Sequence, residues 1–133
     1  MAINVSWGND KQTYVYIQVT GRWTWREYHN SISLANELIY SVDHDVCIIT
    51  HLVDSEAQIL TKNAFGQWRK SLDETPRNLQ IVILVPGIPI IKVFIDTTHR
   101  LFGRLMTFTF RMASTLDDAQ QIVENVQQQA NTN

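Results

Sequence analysis

The chain has 133 residues, 44% of them apolar and 18% charged, with eleven Lys and Arg against thirteen Asp and Glu for a formal charge of -2 at pH 7. That length and makeup suit one soluble globular domain and exclude two full ones; a chain of this size buries about two-thirds of the surface its unfolded form exposes, enough for one core without metal or disulfide. Charges of both signs are interspersed, so there is no basic stripe to neutralise phosphates and no acidic tail for a basic partner, which argues against nucleic acid.

Ile3 to Trp7 and Tyr14 to Thr20 flank Gly8-Asn9-Asp10, a turn-forming trio, and the second stretch alternates Tyr14, Tyr16, Gln18 with Val15, Ile17, Val19. This predicts a β-hairpin. After Gly21 the period lengthens: Trp25, Tyr28, Ile32, Ala35, Leu38, Ile39 and Val42 recur every three or four residues and form one helical stripe. Thr24 and Glu27 are spaced for a capping box, so the helix is expected from about Trp25 to about Ser41. Val46 to Val53, rich in β-branched residues, reads as a strand covered on both faces. It contains the single cysteine, Cys47, which reads as a small buried hydrophobe and has no partner for an internal disulfide, as suits a reducing, cytoplasmic setting.

A second helix carries Ala64, Phe65, Trp68 and Leu72 on one face and Gln67, Arg69, Lys70 and Asp73 on the other, and stops before Pro76; Gly66 weakens it, and either Ser55 or Thr61 could cap it. Leu79 to Val85 reads as another doubly covered strand. Pro89 suits the first turn of a helix over residues 90–101, with Ile91, Phe94, Ile95, Thr98 and Phe102 facing inward and Lys92, Asp96 and Arg100 outward. Thr107 to Ala113 alternates as a strand with one wetter side, near a sheet edge. Ser114 and Thr115 cap a last helix with Leu116, Ala119, Ile122, Val123 and Val126 along one face, and residues 127–133 are expected to form a frayed polar tail. The start at Met1 lacks a basic region and a long apolar segment, and the apolar run near Ile81 to Ile91 is broken by Pro86, Gly87 and Pro89, so neither a signal peptide nor a membrane span is expected.

The order ββαβαβαβα predicts a single α/β domain over residues 1–126, with a mostly parallel sheet of about five strands, an N-terminal β-hairpin and four helices. In order and spacing the chain resembles the STAS domain, the fold of bacterial anti-sigma-factor antagonists, and more closely its SpoIIAA-like offshoot, related in fold to CRAL-TRIO lipid-binding domains. The resemblance covers Tyr14 to Val126. It is carried by the strand ending at Gly21, by Trp23-Thr24-Trp25-Arg26-Glu27-Tyr28, by Val46 to Val53, by Pro76-Arg77-Asn78-Leu79, and by Ser114-Thr115-Leu116-Asp117-Asp118-Ala119. It implies a STAS-like sandwich and a regulatory serine after the central strand, where this chain reads Asp54-Ser55-Glu56-Ala57. The acidic neighbours Asp54 and Glu56 oppose a phosphate on Ser55, and the glycine usual in that segment is missing.

No motif for catalysis, a metal or a cofactor emerges. Of His29, His44, His51 and His99, His51 with Asp54 is the pair best placed, because ligands of α/β sheets bind beyond the carboxyl ends of strands. Trp23 and Trp25 could flank an apolar groove, and Ile91, Phe94 and Phe102 could close a pocket, with Arg100, Arg104 and Arg111 near an anionic head group. The reading that follows is a non-enzymatic regulatory or protein-interaction module that binds a protein partner or a second copy of itself. The alternative is a small carrier or sensor holding a lipid or other apolar molecule between the sheet and residues 90–102. An enzyme using His51 and Asp54 is the weakest of the three.

Overall fold

The computed structural model describes residues 2–53, 64–72, 74–86, 96, 97, 100, 104 and 108–132, with the side chains of residues 64, 65, 68, 72 and 130–132 left aside. Five strands, β1 (Ile3–Trp7), β2 (Tyr14–Thr20), β3 (Val46–Val53), β4 (Leu79–Val85) and β5 (Thr109–Met112), form one sheet in sequential order. β1 is antiparallel to β2 and every later neighbour is parallel. Three helices are described, α1 (Trp25–Tyr40), α2 (Ala64–Leu72) and α3 (Leu116–Thr132). The α/β class, the hairpin and the mostly parallel sheet agree with the sequence. The helix expected over 90–101 lies outside the described residues apart from Asp96, Thr97 and Arg100.

Local chemistry accounts for the element boundaries. In the hairpin turn Asn9 binds Thr13 twice, Oδ1 accepting from the Thr13 amide at 3.0 Å and Nδ2 donating to its hydroxyl at 2.7 Å. Gly21, at φ +62, turns the chain out of β2 in a conformation that side chains disfavour. Thr24 then caps α1 as expected, with its hydroxyl accepting from the Glu27 amide and the Glu27 carboxylate accepting from the Thr24 amide. At the other end of the chain α3 runs on to Thr132, beyond Val126, where its apolar stripe stops. The tail expected from residue 127 is thus largely helical; Gln127 donates to the Asp45 carbonyl at 3.3 Å, a tether that hydrophobic periodicity does not register.

The two sheet faces carry separate cores. Val15, Ile17, Val19, Val46, Ile48 and Leu79 pack with Ala35 and Ile39 of α1. Tyr14, Cys47, Ile49, Ile81, Ile83 and Val85 pack with Ala119 and Val123 of α3. Leu79 and Ile81 reach opposite cores because the β3–β4 register slips between Val46/Leu79 and Ile48/Val82, an extra residue in β4 that flips the alternation. α2 lies on the α1 side, joined to α1 by side-chain hydrogen bonds. Successive crossovers that move the same way across a sheet with the same hand stay on one face, which leaves the other to the helix that follows the last strand. β5 is an edge strand with Thr109 and Arg111 exposed, as its alternation predicts. No helix among the described residues is long and apolar enough to cross a membrane.

Candidate functional site

β2, β3, β4 and β5 are parallel and so share a carboxyl end, and two side-chain groups lie in that part of the sheet, one on each face. On the α1 face, Trp23 is buried and meets Trp25 edge-on, with ring centres 5.1 Å apart. Trp25 meets Tyr28 in the same way at 5.2 Å, and Tyr28 meets His29 at 5.2 Å. Edge-to-face contacts of this kind add to the area that such rings bury. The cluster also joins α1 to α2: His29 Nε2 lies 2.6 Å from Gln67 Oε1, and the Tyr28 hydroxyl 3.4 Å from Ser71 Oγ. Burial pushes the Tyr28 phenol up to about 12, opposed in part by Ser71. Trp25 continues into a smaller apolar group of Leu52, Leu84, Phe110 and Met112. The Trp23 indole N–H is buried with no hydrogen-bond partner among the described residues.

On the α3 face, Tyr16 and His51 form a hydrogen-bonded pair, with the phenol oxygen 2.7 Å from His51 Nδ1 and the ring centres 5.9 Å apart. Parallel pairing sets Gln18 directly beside His51, so Tyr16, Gln18 and His51 share one face of two adjacent strands. Burial raises the Tyr16 phenol above its ordinary value, with Gln18 opposing and Tyr14 adding to the shift. The phenol donates to Nδ1 when the imidazole carries its proton on Nε2, and accepts from Nδ1–H in the other tautomer. Both rings are half-buried. α3 covers β3 and β4, so beyond the pair, toward β1, the face carries exposed Asn4 and Ser6, opposite Gln18 and Tyr16. The result is a polar sheet face, rich in donors and acceptors and without a helix over it among the described residues, with one phenol–imidazole pair at its border with α3.

The structure thus brings Trp23 and Trp25 together and sets His51 on the opposite face, bonded to Tyr16. Asp54, Ser55, Ile91, Phe94 and Phe102 lie outside the described residues, and with them the expected His51–Asp54 pair, the serine segment and the pocket at residues 90–102. His44 is an exposed loop residue bonded to the Gln12 carbonyl at 2.8 Å. Arg100, Arg104 and Arg111 are exposed. Cys47 is fully buried and its thiol is pushed up to about 11 by that burial, as suits a packing residue and not a nucleophile. Among the described residues no three of His, Cys, Asp and Glu gather as a metal site. Tyr16 is the functional candidate that sequence reasoning missed: its alternation assigns it a face, but only the register between β2 and β3 sets it against His51. Compared with known proteins, the chain matches no family model, no curated protein and no solved structure.

Proposed function

We propose that this chain is a non-enzymatic regulatory or protein-interaction module of the STAS-like kind, working by contact through the polar face of β1, β2 and β3. What supports it above all is the character of that face. Asn4, Ser6 and Gln18 surround the Tyr16–His51 pair without a helix over them among the described residues, while both apolar faces of the inner strands are filled. Polar groups on rigid strands bind with directional hydrogen bonds and little loss of conformational freedom. The paired phenol and imidazole are preset for this, because each holds the other's orientation. The hairpin, the mixed sheet and the crossover helices are compatible with the STAS resemblance.

The test is a comparative capture from native extract. Proteins enriched on the wild-type chain should be retained by Arg111→Ala, which alters an exposed position on the far edge strand, and lost by His51→Ala and reduced by Tyr16→Phe. An identical set of captured proteins on wild type and His51→Ala refutes the proposed face.

One observation favours the carrier as a second reading. Among the described residues the Trp23 N–H is a buried donor without a partner, beside an apolar group that runs through Trp25 to Leu52, Leu84 and Phe110, a combination suited to a molecule with an acceptor at one end of an apolar body. Native mass spectrometry of the purified chain reads this directly: a bound apolar mass supports the carrier, and the bare chain mass from several expression conditions removes it.

A further inference from the structure

β1 is the outer strand of the sheet, and its backbone bonding can be read residue by residue. The Ala2 carbonyl accepts from the Thr20 amide at 2.8 Å, and the Gly8 amide donates to the Tyr14 carbonyl at 2.9 Å. With Ile3 opposite Val19 and Trp7 opposite Val15, residues 2, 4, 6 and 8 turn their amides and carbonyls toward β2. Ile3, Val5 and Trp7 therefore turn theirs outward, and no described residue pairs with them. Natural edge strands are guarded by a proline, a lysine, a bulge or a covering element. Ile3–Trp7 has no proline, no charged residue and an unbroken register.

The neighbouring flank of α1 is also open. Leu34 is 51% exposed, one turn from Leu38, which packs on the core. Asn36, whose amide donates to the Glu74 carbonyl at 3.0 Å, and His29, bonded to Gln67, mark the flank of α1 that faces α2. At 3.6 residues per turn, Leu34 lies roughly 160° around the axis from Asn36, on the side where β1 ends the sheet.

We infer that β1 pairs antiparallel with β1 of a second copy of this chain, about a two-fold axis at Val5. The inference rests on the reading of the chain as a contact module and names one of its partners. The edge is self-complementary in this register. Val5 meets Val5 of the second copy and Ile3 meets its Trp7 as hydrogen-bonded pairs, because these are the residues whose backbone groups already point outward. Asn4 meets Ser6 of the second copy in the intervening, closer pairs. Apolar side chains thus continue apolar ones on the α1 face and polar side chains continue polar ones on the other. The strand carries no charge, so the two-fold sets no like charges against each other. α1 lies over β1 and β2. With strands about 4.8 Å apart, the two α1 helices then run roughly 10 Å from each other, at the outer limit of packed-helix spacing, with Leu34 of each copy between them. The product is one continuous sheet whose two polar faces, each with its Tyr16–His51 pair, join on one side.

Sedimentation velocity on the full chain over a concentration series tests this. Wild type is expected to dimerise. Asn4→Lys with Ser6→Lys in one chain sets lysine against lysine twice across the axis, at exposed positions that leave the monomer core intact, and should raise the dissociation constant at least ~10-fold. Asn4→Glu with Ser6→Glu should do the same, and an equimolar mixture of the two variants should form heterodimers. Circular dichroism matching wild type shows that both variants fold. A wild type that stays monomeric at every concentration overturns the inference, as does a double-lysine variant that dimerises like wild type or a mixture that fails to pair. Capture of a different protein through the Tyr16–His51 face would stand or fall separately, since it is read on His51→Ala and not on self-association.

Discussion

Asn78 offers the sharpest test of how the two ends of the α1–β3 connection are held. Its side-chain Nδ2 lies 2.9 Å from the Ile39 carbonyl, 3.2 Å from that of Val42 and 3.0 Å from that of His44, while its backbone carbonyl accepts from the Val46 amide at 2.8 Å. Two amide protons therefore serve three acceptors at the carbonyl end of α1, whose last turn carries no basic residue. Asn78→Ala removes both protons at a part-buried site; at about 1 kcal/mol per lost bond, and somewhat more where a carbonyl is left dry, it should cost about 2 kcal/mol. Asn78→Asp keeps the shape but turns an anion toward the same three oxygens and the negative end of the helix dipole, which adds on the order of 1 kcal/mol. Urea unfolding at neutral pH should thus rank wild type above Ala and Ala above Asp, despite the closer likeness of Asp to Asn. The gap between the two variants should close on acidification, as the carboxyl takes up a proton and can donate. Aspartate tolerated as well as alanine, or both variants within about 0.5 kcal/mol of wild type, would refute the three-carbonyl strap.

The protein should lose stability in alkali. Tyr28 and Cys47 are neutral when protonated and titrate at about 12 and about 11 in the fold against 10.0 and 9.0 ordinarily. Their contribution, on the order of 3 kcal/mol each, is therefore whole below about pH 9 and disappears as pH rises through these values. Unfolding free energies measured up to about pH 11.5 should fall along that window, and Tyr28→Phe should flatten its upper part; a flat wild-type profile would contradict the burial of both groups. The two glycines with described surroundings and ordinary φ should respond in opposite ways to alanine. A Cβ at Gly8 would run into the ring of Tyr14, which is buried and gives up packing and its 3.0 Å hydrogen bond from Gln120 if it shifts, so Gly8→Ala should lower the melting temperature by an amount matching about 1–3 kcal/mol. Gly66 is exposed in α2 with no described residue near its Cβ position, so Gly66→Ala should gain up to about 1 kcal/mol.

Much of the secondary structure was legible because it rests on local chemistry. α1 begins at Trp25 because Thr24 and Glu27 are three residues apart, and β3 and β4 occupy Val46–Val53 and Leu79–Val85 because apolar runs that short and that rich in β-branched residues suit doubly covered strands. The wet side of β5 was visible in the alternation of Thr109 and Arg111 with Phe110 and Met112. The reach of α3 was not, because hydrophobic spacing stops speaking where an exposed helix becomes polar all round. The candidate site was half legible: His51 stood out as a polar residue near the end of an apolar strand, but its partner Tyr16 is 35 residues away and nothing local links them.

Composition, periodicity and capping residues thus determined by themselves the class of the fold, most element boundaries and the burial of Cys47, since each depends on a residue and its neighbours along the chain. Tertiary structure alone decided which residues meet across strands and which core each strand segment serves. The pairing of β2 with β3 sets Tyr16 against His51, the extra residue in β4 switches Leu79 and Ile81 to opposite cores, and the sequential strand order leaves β1 at an edge. Register and strand order arise from contacts between segments far apart in the chain, and a one-residue slip sends every side chain of a strand to the other face.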